Sequence, residues 1–301
     1  MDFSISHFAP RTPLELNKPL IKLIYNPRRE LIRSNPDMPN IKVVRKEHVV
    51  LEKGEEGVVV SNVLNFKKII GLVKDFVEIA NIQFHDGKFS LTALDSSHIS
   101  FVDLQLNIDY FLYFKISKAT RIGVNLVRLH RIISGCSKED TIKMVILPDK
   151  LKISIVNHQL IKTYMMNLFN LEDTDLTIPT DIETTKIEIC SRYFHQIIDD
   201  LYDTGDTTQF QLNSGKLALK TTGEIGELDI TLKDDLKIPK DMDMKLSFNN
   251  KLLREFTKGH NISDSITLEF KDEFPLIMGY TLGEQGYMRY YIAPKIDDFD
   301  D

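Results

Sequence analysis

Residues 91–106 of the chain read LTALDSSHISFVDLQL, and the prediction of the fold starts from this stretch. Apolar and polar residues alternate up to Leu94, which predicts a strand. Residues 95–98 are small or polar and can bond to their own backbone, so they predict a tight turn. Alternation resumes at Ile99 and continues through Phe101. The stretch therefore predicts a β-hairpin.

The same hairpin contains Ser97, His98 and Asp103, which are the residue types of a serine hydrolase triad. Such a triad is recognised by its geometry and by a nucleophile elbow, and the chain has no G-x-S-x-G sequence at this point. A hairpin turn is the favoured interpretation. A hydrolase stays as the alternative from a different class of function, and labelling by a serine-reactive probe, lost in Ser97→Ala, would be needed to support it.

Composition narrows the classes of function. With 301 residues and 42% hydrophobic content, the chain resembles an ordinary globular protein with one or two cores. No apolar run reaches the ~18 residues of a membrane span, and no secretory signal is readable, so no membrane partner is predicted. Cys136 and Cys190 fit a reducing compartment and are predicted to be buried small hydrophobic residues.

The charges and the motifs favour a binding protein over an enzyme. A net charge of −6 argues against a protein that coats nucleic acid with its whole surface, but it permits one basic face. No H-E-x-x-H, P-loop or paired-carboxylate signature is present, so no enzyme activity, cofactor or metal is predicted.

The chain divides into segments of different character. Residues 1–57 are rich in proline and in basic residues, which predicts a mostly extended N-terminal arm. The alternative is a basic arm that touches DNA or a partner. After the arm, a strand, a helix and further strands follow one another four times, starting near residues 58, 116, 186 and 245.

This repeat predicts two similar domains, at residues 58–170 and 183–296. A polar connector at residues 171–182 joins them, and residues 297–301 form an acidic tail.

Several segments resemble the proliferating cell nuclear antigen (PCNA) family of DNA sliding clamps. The hairpin resembles the family's L-x-x-M-D-S-S-H-V-x-L, with Leu94 where the family usually has Met. Similar matches are GEIGELDITL at 223–232, LSFNNKLLREFTKG at 246–259 and EFPLIMGYTLGEQGYMRYYIAPKIDD at 273–298. The resemblance covers about residues 58–301.

The resemblance implies an α+β sliding-clamp fold of two similar domains, and a homotrimeric ring of six domains around double-stranded DNA. It implies a processivity factor for DNA polymerase, loaded by an ATP-driven clamp loader and acting in the nucleus or at the replication site of a large DNA virus. The alternative of the same fold is a DNA-binding factor that acts as a monomer or in a hetero-oligomeric, checkpoint-type ring. The mass in solution would separate the two.

The resemblance implies that the four helices line the hole of the ring, so their basic residues are the DNA-binding candidates. Point charges of this kind attract phosphates without reading bases. They are Lys67, Lys68 and Lys74 on the first helix, Arg128 and Arg131 on the second, Arg192 on the third, and Lys251, Arg254 and Lys258 on the fourth. Two departures from the family are visible: Ser134 replaces a usual basic residue, and Asp199 and Asp203 lie on the third helix. We therefore predict weaker DNA contact at the third helix.

The resemblance also implies a pocket for partner proteins that carry a PCNA-interacting peptide, a short motif with a Gln and spaced aromatic residues. The matching positions are Leu94, His98, Ile99, Phe101, Leu176, Ile178, Pro179, Pro275, Tyr291, Ala293, Pro294 and Lys295. Apolar residues from two domains, together with acceptors in an extended tail, suit aromatic anchors. Leu94 and Phe101 differ from the family and should reshape the pocket.

Subunit contacts in the family join edge strands of neighbouring copies. The matching segments here are residues 151–157 and 216–223, so we predict that these two strands are exposed sheet edges.

Overall fold

The computed structural model describes residues 49–171, 183–233 and 236–295. Four units, each a strand, a helix and three further strands, make up this part of the chain. The first unit contains β1 (Gly57–Val60), α1 (Val63–Phe76), β2 (Ile79–His85), β3 (Lys88–Leu94) and β4 (Ser100–Asn107). The second contains β6 (Thr120–Asn125), α2 (Leu126–Ile133), β7 (Thr141–Ile146), β8 (Lys150–Val156) and β9 (Ile161–Asn167).

The third unit contains β10 (Thr185–Cys190), α3 (Ser191–Thr204), β11 (Thr207–Asn213), β12 (Lys216–Gly223) and β13 (Gly226–Thr231). The fourth contains β14 (Asp243–Asn249), α4 (Asn250–Thr257), β15 (Ser265–Phe270), β16 (Leu276–Thr281) and β17 (Gly286–Ile292). A 3-10 turn, Ile108–Tyr110, and the short strand β5 (Tyr113–Lys115) connect the first two units, and a 3-10 turn, Lys258–Asn261, follows α4. The α+β class and the fourfold repeat are confirmed. In the aromatic run at residues 110–116, only Tyr113–Lys115 form a strand, since Tyr110 belongs to the 3-10 turn.

Asparagine fixes the start of three of the four helices. The side chains of Asn62, Asn125 and Asn249 accept hydrogen bonds from main-chain N–H groups in the first turns of α1, α2 and α4. These bonds satisfy donors that have no partner inside the helix. Helix α3 follows Cys190 and has no side-chain cap; instead, the Ser191 hydroxyl donates to the carbonyl of Ser263 at 2.5 Å.

The two cysteines have different environments. Cys136 is buried, and burial raises the pKa of its thiol to about 11. Cys190 is exposed at the end of β10, so the prediction that it is buried was wrong. Its side chain points outward because the alternate residues of that strand, Ile187 and Ile189, face the core.

The strands form three sheets, and one of them spans both predicted domains. Its order is β10-β15-β16-β17-β4-β3-β2-β6. Strand β17 pairs antiparallel with β4, from Gly286 opposite Leu106 to Ile292 opposite Ser100. A sheet of five strands has the order β5-β1-β7-β8-β9, and one of four strands has the order β13-β12-β11-β14.

The predicted subunit strands are not sheet edges, which corrects that part of the sequence analysis. Strand β8, which covers most of residues 151–157, pairs with β7 on one side and β9 on the other. Strand β12 (Lys216–Gly223) likewise lies between β11 and β13. Within the described ranges, the free edges next to them are β9 and β13. Each prediction was therefore displaced by one strand.

The helices pack their apolar stripes on the sheets and touch one another across the two halves of the chain. On α1 the stripe is Phe66, Ile69, Ile70 and Val73, all fully buried. Burial of each such side chain contributes about 1.5–3 kcal/mol before entropy is counted. At the junction, the ring of Phe76 on α1 lies 5.9 Å from that of Phe256 on α4. Among the described helices, none is long and apolar enough to span a membrane.

Candidate nucleic-acid and partner-binding surfaces

The turn between β3 and β4 is built around one carboxylate. Asp95 accepts hydrogen bonds from the N–H groups of Ser97, Ile99 and Ser100 at 3.2, 3.0 and 2.9 Å, and from the Ser97 hydroxyl. Burial alone would raise the pKa of Asp95, but these bonds hold it below its ordinary value. His98 has a φ of 60°, a left-handed conformation that the turn imposes. The predicted hairpin is confirmed.

The residues of a hydrolase triad are not arranged as a relay. The hydroxyl of Ser97 donates to Asp95, and His98 is exposed on the turn. Asp103 lies inside β4, where its carboxylate accepts the hydroxyl of Thr92 at 3.4 Å. Burial raises the pKa of Asp103. Ser97 thus hydrogen-bonds to Asp95, and no hydrogen bond between Ser97 and His98 is observed in the described part of the chain.

Several predicted partner-binding residues form a floor on the large sheet. Leu94, Phe101, Tyr291 and Ile277 are cross-strand neighbours on β3, β4, β17 and β16. The rings of Phe101 and Tyr291 stack with centroids 4.0 Å apart and an interplanar angle of 10°. Phe101 and Leu94 are half-buried, so the floor is accessible from outside. Sequence reasoning missed Ile277, which follows the predicted member Pro275 by two residues.

The rim of this floor comes from the turn and from the chain after β17. Ile99 is 47% exposed, and its carbonyl accepts the N–H of Ala293 at 2.9 Å. Lys295 donates its N–H to the carbonyl of Ser247 at 2.7 Å. Pro275 and Pro294 are half-buried. The other predicted members, Leu176, Ile178 and Pro179, lie outside the described residues, as do the predicted arm up to residue 48, almost all of the connector, and the acidic tail.

The four helices form one continuous row in the order α2, α1, α4, α3. Helix α1 packs on α2, and α3 packs on α4. Contacts between α1 and the α4 region link the two pairs, through Phe76 on Phe256 and through Lys68, whose Nζ donates to the carbonyl of Asn261 at 2.9 Å. Basic residues on all four helices therefore belong to one surface, which we call the helix face.

The three lysines of α1 have partners in the structure. Lys67 donates to the carbonyls of Ser134 and Cys136, at 3.0 and 3.1 Å, just beyond the end of α2. A cation at a helix C-terminus satisfies carbonyls without partners and interacts favourably with the dipole. Lys68 binds the 3-10 turn described above, and Lys74 forms an ion pair with Asp75. Sequence periodicity gave no sign of these carbonyl partners.

The remaining basic candidates differ in how far they are neutralised. Arg254 contacts Asp199 at 2.8 Å and lies 4.4 Å above the ring of Tyr202. Lys258 pairs with Glu255 at 2.6 Å. Four candidates are exposed and have no side-chain hydrogen bond or ion pair to another residue in the described ranges. They are Arg128, Arg131, Arg192 and Lys251.

Two histidines stack beside α4. The rings of His195 on α3 and His260 lie 4.2 Å apart, and His195 Nδ1 is 2.9 Å from the Thr257 hydroxyl. Burial lowers the pKa of His195; Asp199 opposes this effect, while His260, Arg254 and Lys258 add to it. The helix face therefore holds a histidine that resists protonation.

Comparison with known proteins agrees with this architecture. The profile "Proliferating cell nuclear antigen, N-terminal domain" matches residues 58–178, and "Proliferating cell nuclear antigen, C-terminal domain" matches residues 178–295. The chain is 27% identical to proliferating cell nuclear antigen of Chaetomium thermophilum over 245 residues, 77% of this chain and 95% of the relative. It is 28% identical to proliferating cell nuclear antigen 2 of Drosophila melanogaster over 248 residues, 80% of this chain and 97% of the relative. With both of its halves matched in order, the chain belongs to the proliferating cell nuclear antigen family and has the sliding-clamp fold.

Proposed function

We propose that the protein is a DNA sliding clamp, a processivity factor for DNA polymerase. It acts without chemistry of its own, as a ring of identical copies that encircles double-stranded DNA. This role belongs in the nucleus or at the replication site of a large DNA virus. The observation that carries the proposal is the pairing of β17 with β4. In the internal repeat, the strands equivalent to β17 and β4 are β9 and β13, and in the described part of the chain they do not pair with each other.

The argument for a ring follows from the order of strands in the four units. Strand β17 ends the second pair of units, and β4 ends the first unit. Their counterparts are β9, which ends the first pair, and β13, which ends the third unit. Both counterparts are free edges in the described part of the chain. Pairing β9 of one copy with β13 of the next repeats the in-chain junction.

A head-to-tail contact of this kind closes into a ring when its rotation allows. Three copies of two domains give the six-domain ring that the resemblance to the family implies. Pairing would also remove two exposed strand edges, which are otherwise liable to aggregate. The side chains of β9 fit this role, because Ile161 and Met165 are 67% and 51% exposed.

In this ring the helix face lines the hole and meets the phosphates. Lys251 and Arg192 are free to do so, while Lys74, Arg254 and Lys258 contact DNA as members of local ion pairs. Lys67 and Lys68 contribute positive potential from their carbonyl-bound positions. Non-directional attraction of this kind holds the ring on DNA and leaves it free to move along the duplex.

A comparison of two exposed cations tests the helix face. We expect Lys251→Ala to weaken DNA binding and to reduce the slope of log affinity against log salt by about 1. Arg192→Ala should have a smaller effect, because Asp199, Asp200 and Asp203 share its helix. Fluorescence anisotropy with a short duplex at several salt concentrations measures both. Equal losses from the two variants would contradict the predicted weakness of α3.

The floor around Phe101 and Tyr291 is the proposed docking site for the PCNA-interacting peptides of DNA polymerase, the clamp loader and other replication and repair proteins. The stacked rings of Phe101 and Tyr291 form an apolar surface, partly accessible from outside, that an aromatic side chain of a peptide can contact. The Ala293 N–H bond to Ile99 holds the chain after β17 along the rim.

The mass in solution tests the proposal and separates it from the monomeric or hetero-oligomeric alternative. Light scattering behind size exclusion should give three times the chain mass of 34.7 kDa. A mass of one chain at every concentration and salt would contradict the closed ring and favour the alternative.

A further inference from the structure

A groove at the in-chain junction shows how two units meet. It has a volume of about 530 Å³ and lies between α1 and α4, above Tyr290. Leu72 and Asp75 line the wall from α1, and Leu252 and Glu255 line the wall from α4. Each wall thus presents one leucine and one carboxylate to the groove.

A second groove, of about 480 Å³, occurs between α2 and β9. Its residues Arg128, Arg131 and Tyr164 occupy the positions of Leu252, Glu255 and Tyr290 in the repeat. The register supports this equivalence: α2 and α4 both have eight residues, and the strand pairings Leu151–Met166 and Leu276–Ile292 correspond. The α2 wall of the second groove therefore corresponds to the α4 wall of the first groove. The first groove has a second wall, which α1 provides, and no described residue of the chain provides the corresponding wall of the second groove.

The repeat identifies the missing wall. Helices α1 and α3 both have 14 residues, and their buried positions coincide, with Phe66, Ile69 and Ile70 matched by Phe194, Ile197 and Ile198. In this alignment Asp200 replaces Leu72, and Asp203 replaces Asp75. Both aspartates are exposed, and within the described ranges neither forms a salt bridge.

We propose that Asp200 and Asp203 of a second copy of this chain complete the groove between α2 and β9, with Asp200 opposite Arg128 and Asp203 opposite Arg131. The inference rests on the proposed ring, since the β9–β13 pairing would bring α3 of the next copy beside α2. Two arginines and two aspartates then stand where the in-chain junction has two leucines and two carboxylates. The charge complementarity between α2 and α3 is an observation separate from the free strand edges, and it indicates the same partner, a second copy of the chain.

This arrangement has two consequences for the helix face. Arg128 and Arg131 are subunit contacts rather than DNA contacts, and the acidity of α3 serves the joining of copies. Because exposed ion pairs are screened by salt, the contact between copies weakens as salt rises.

Charge reversal and charge exchange test the proposal. Arg131→Glu and Asp203→Arg should each raise the concentration at which the ring is half assembled by about tenfold or more. The double variant, Arg131→Glu with Asp203→Arg, should restore assembly, because the pair is remade with its signs exchanged. Lys118→Glu, in the turn after β5, is the control with the same charge change away from the groove, and it should leave assembly unchanged.

Sedimentation equilibrium at low and high salt is the readout, with circular dichroism to verify folding of each variant. A wild-type ring that weakens with salt, together with recovery in the double variant, supports the pairing. A wild-type ring whose assembly is unaffected by either single variant overturns the pairing and leaves the ring intact. Single variants that both weaken the ring without recovery in the double variant also overturn it. A wild-type protein that is monomeric throughout overturns the proposed ring itself.

Discussion

Removal of the Asp95 carboxylate should destabilise the hairpin that organises the junction. In Asp95→Ala three main-chain N–H groups lose their acceptor. Those of Ser97 and Ile99 can turn to water, but Ser100 is 2% exposed, and an unsatisfied buried donor costs about 1–3 kcal/mol. His98 has a left-handed conformation that costs about 1 kcal/mol, and the variant lacks the hydrogen bonds to Asp95 that stabilise this conformation. We expect a total loss of about 2–3 kcal/mol in the free energy of unfolding.

Asp95→Asn is the matched control, because it retains one of the two acceptor oxygens. It should cost about 1 kcal/mol, measured like the alanine variant by urea unfolding. The pKa of Asp95 is lowered in the folded protein, so its stabilisation is present above its ordinary pKa and is lost as the pH falls through the folded value. Asparagine does not titrate, so the gap between wild type and Asp95→Asn should narrow in acid. If Asp95→Ala stayed within about 0.5 kcal/mol of wild type, the role assigned to this carboxylate would be refuted.

Three further substitutions, one of them with a control variant, test other parts of the structure. Gly259→Ala would place a Cβ 2.3 Å from the buried ring of Tyr280, and thermal or urea unfolding should show a loss of about 1–3 kcal/mol. Gly135→Ala, which meets no atom within 4 Å, should be nearly neutral in the same assay. The pKa of His195 is lowered in the folded protein, so the unfolded state binds a proton at this residue more readily, and the free energy of unfolding falls as the pH drops below the ordinary histidine pKa. His195→Asn should flatten this pH dependence. An unchanged pH profile in the variant would argue against the role assigned to His195. Phe101→Ala should weaken binding of a PCNA-interacting peptide by about tenfold or more in calorimetry without changing the mass in solution, and undiminished binding would count against the proposed floor.

The elements that the sequence predicts best are those with one buried face. Helix α1 and the hairpin after β3 show periodic patterns because one side of each packs on the core. Strand β9 shows no such pattern, since only Met166 of its seven residues is buried. A strand that presents apolar side chains outward cannot be recognised from alternation. The subunit edges were assigned from the resemblance to the family, which placed each of them one strand too early.

The candidate sites divide in the same way. The resemblance located Phe101 and Tyr291 on one floor, and the register across β4 and β17 brings them into contact. The carbonyl partners of Lys67 and Lys68 were beyond prediction, because they lie 67 and 193 residues away in the chain. Such contacts depend on the packing of units against one another, which no local pattern encodes.

Retention on DNA with blocked ends tests most directly whether the protein encircles the duplex. Labelled protein at high concentration would be threaded onto linear DNA over its free ends, and bulky protein blocks would then be attached to both ends. The account predicts that the protein stays on the blocked DNA in high salt and is released when one restriction cut opens it. Release at the same rate from blocked, unblocked and cut DNA would contradict a topological link.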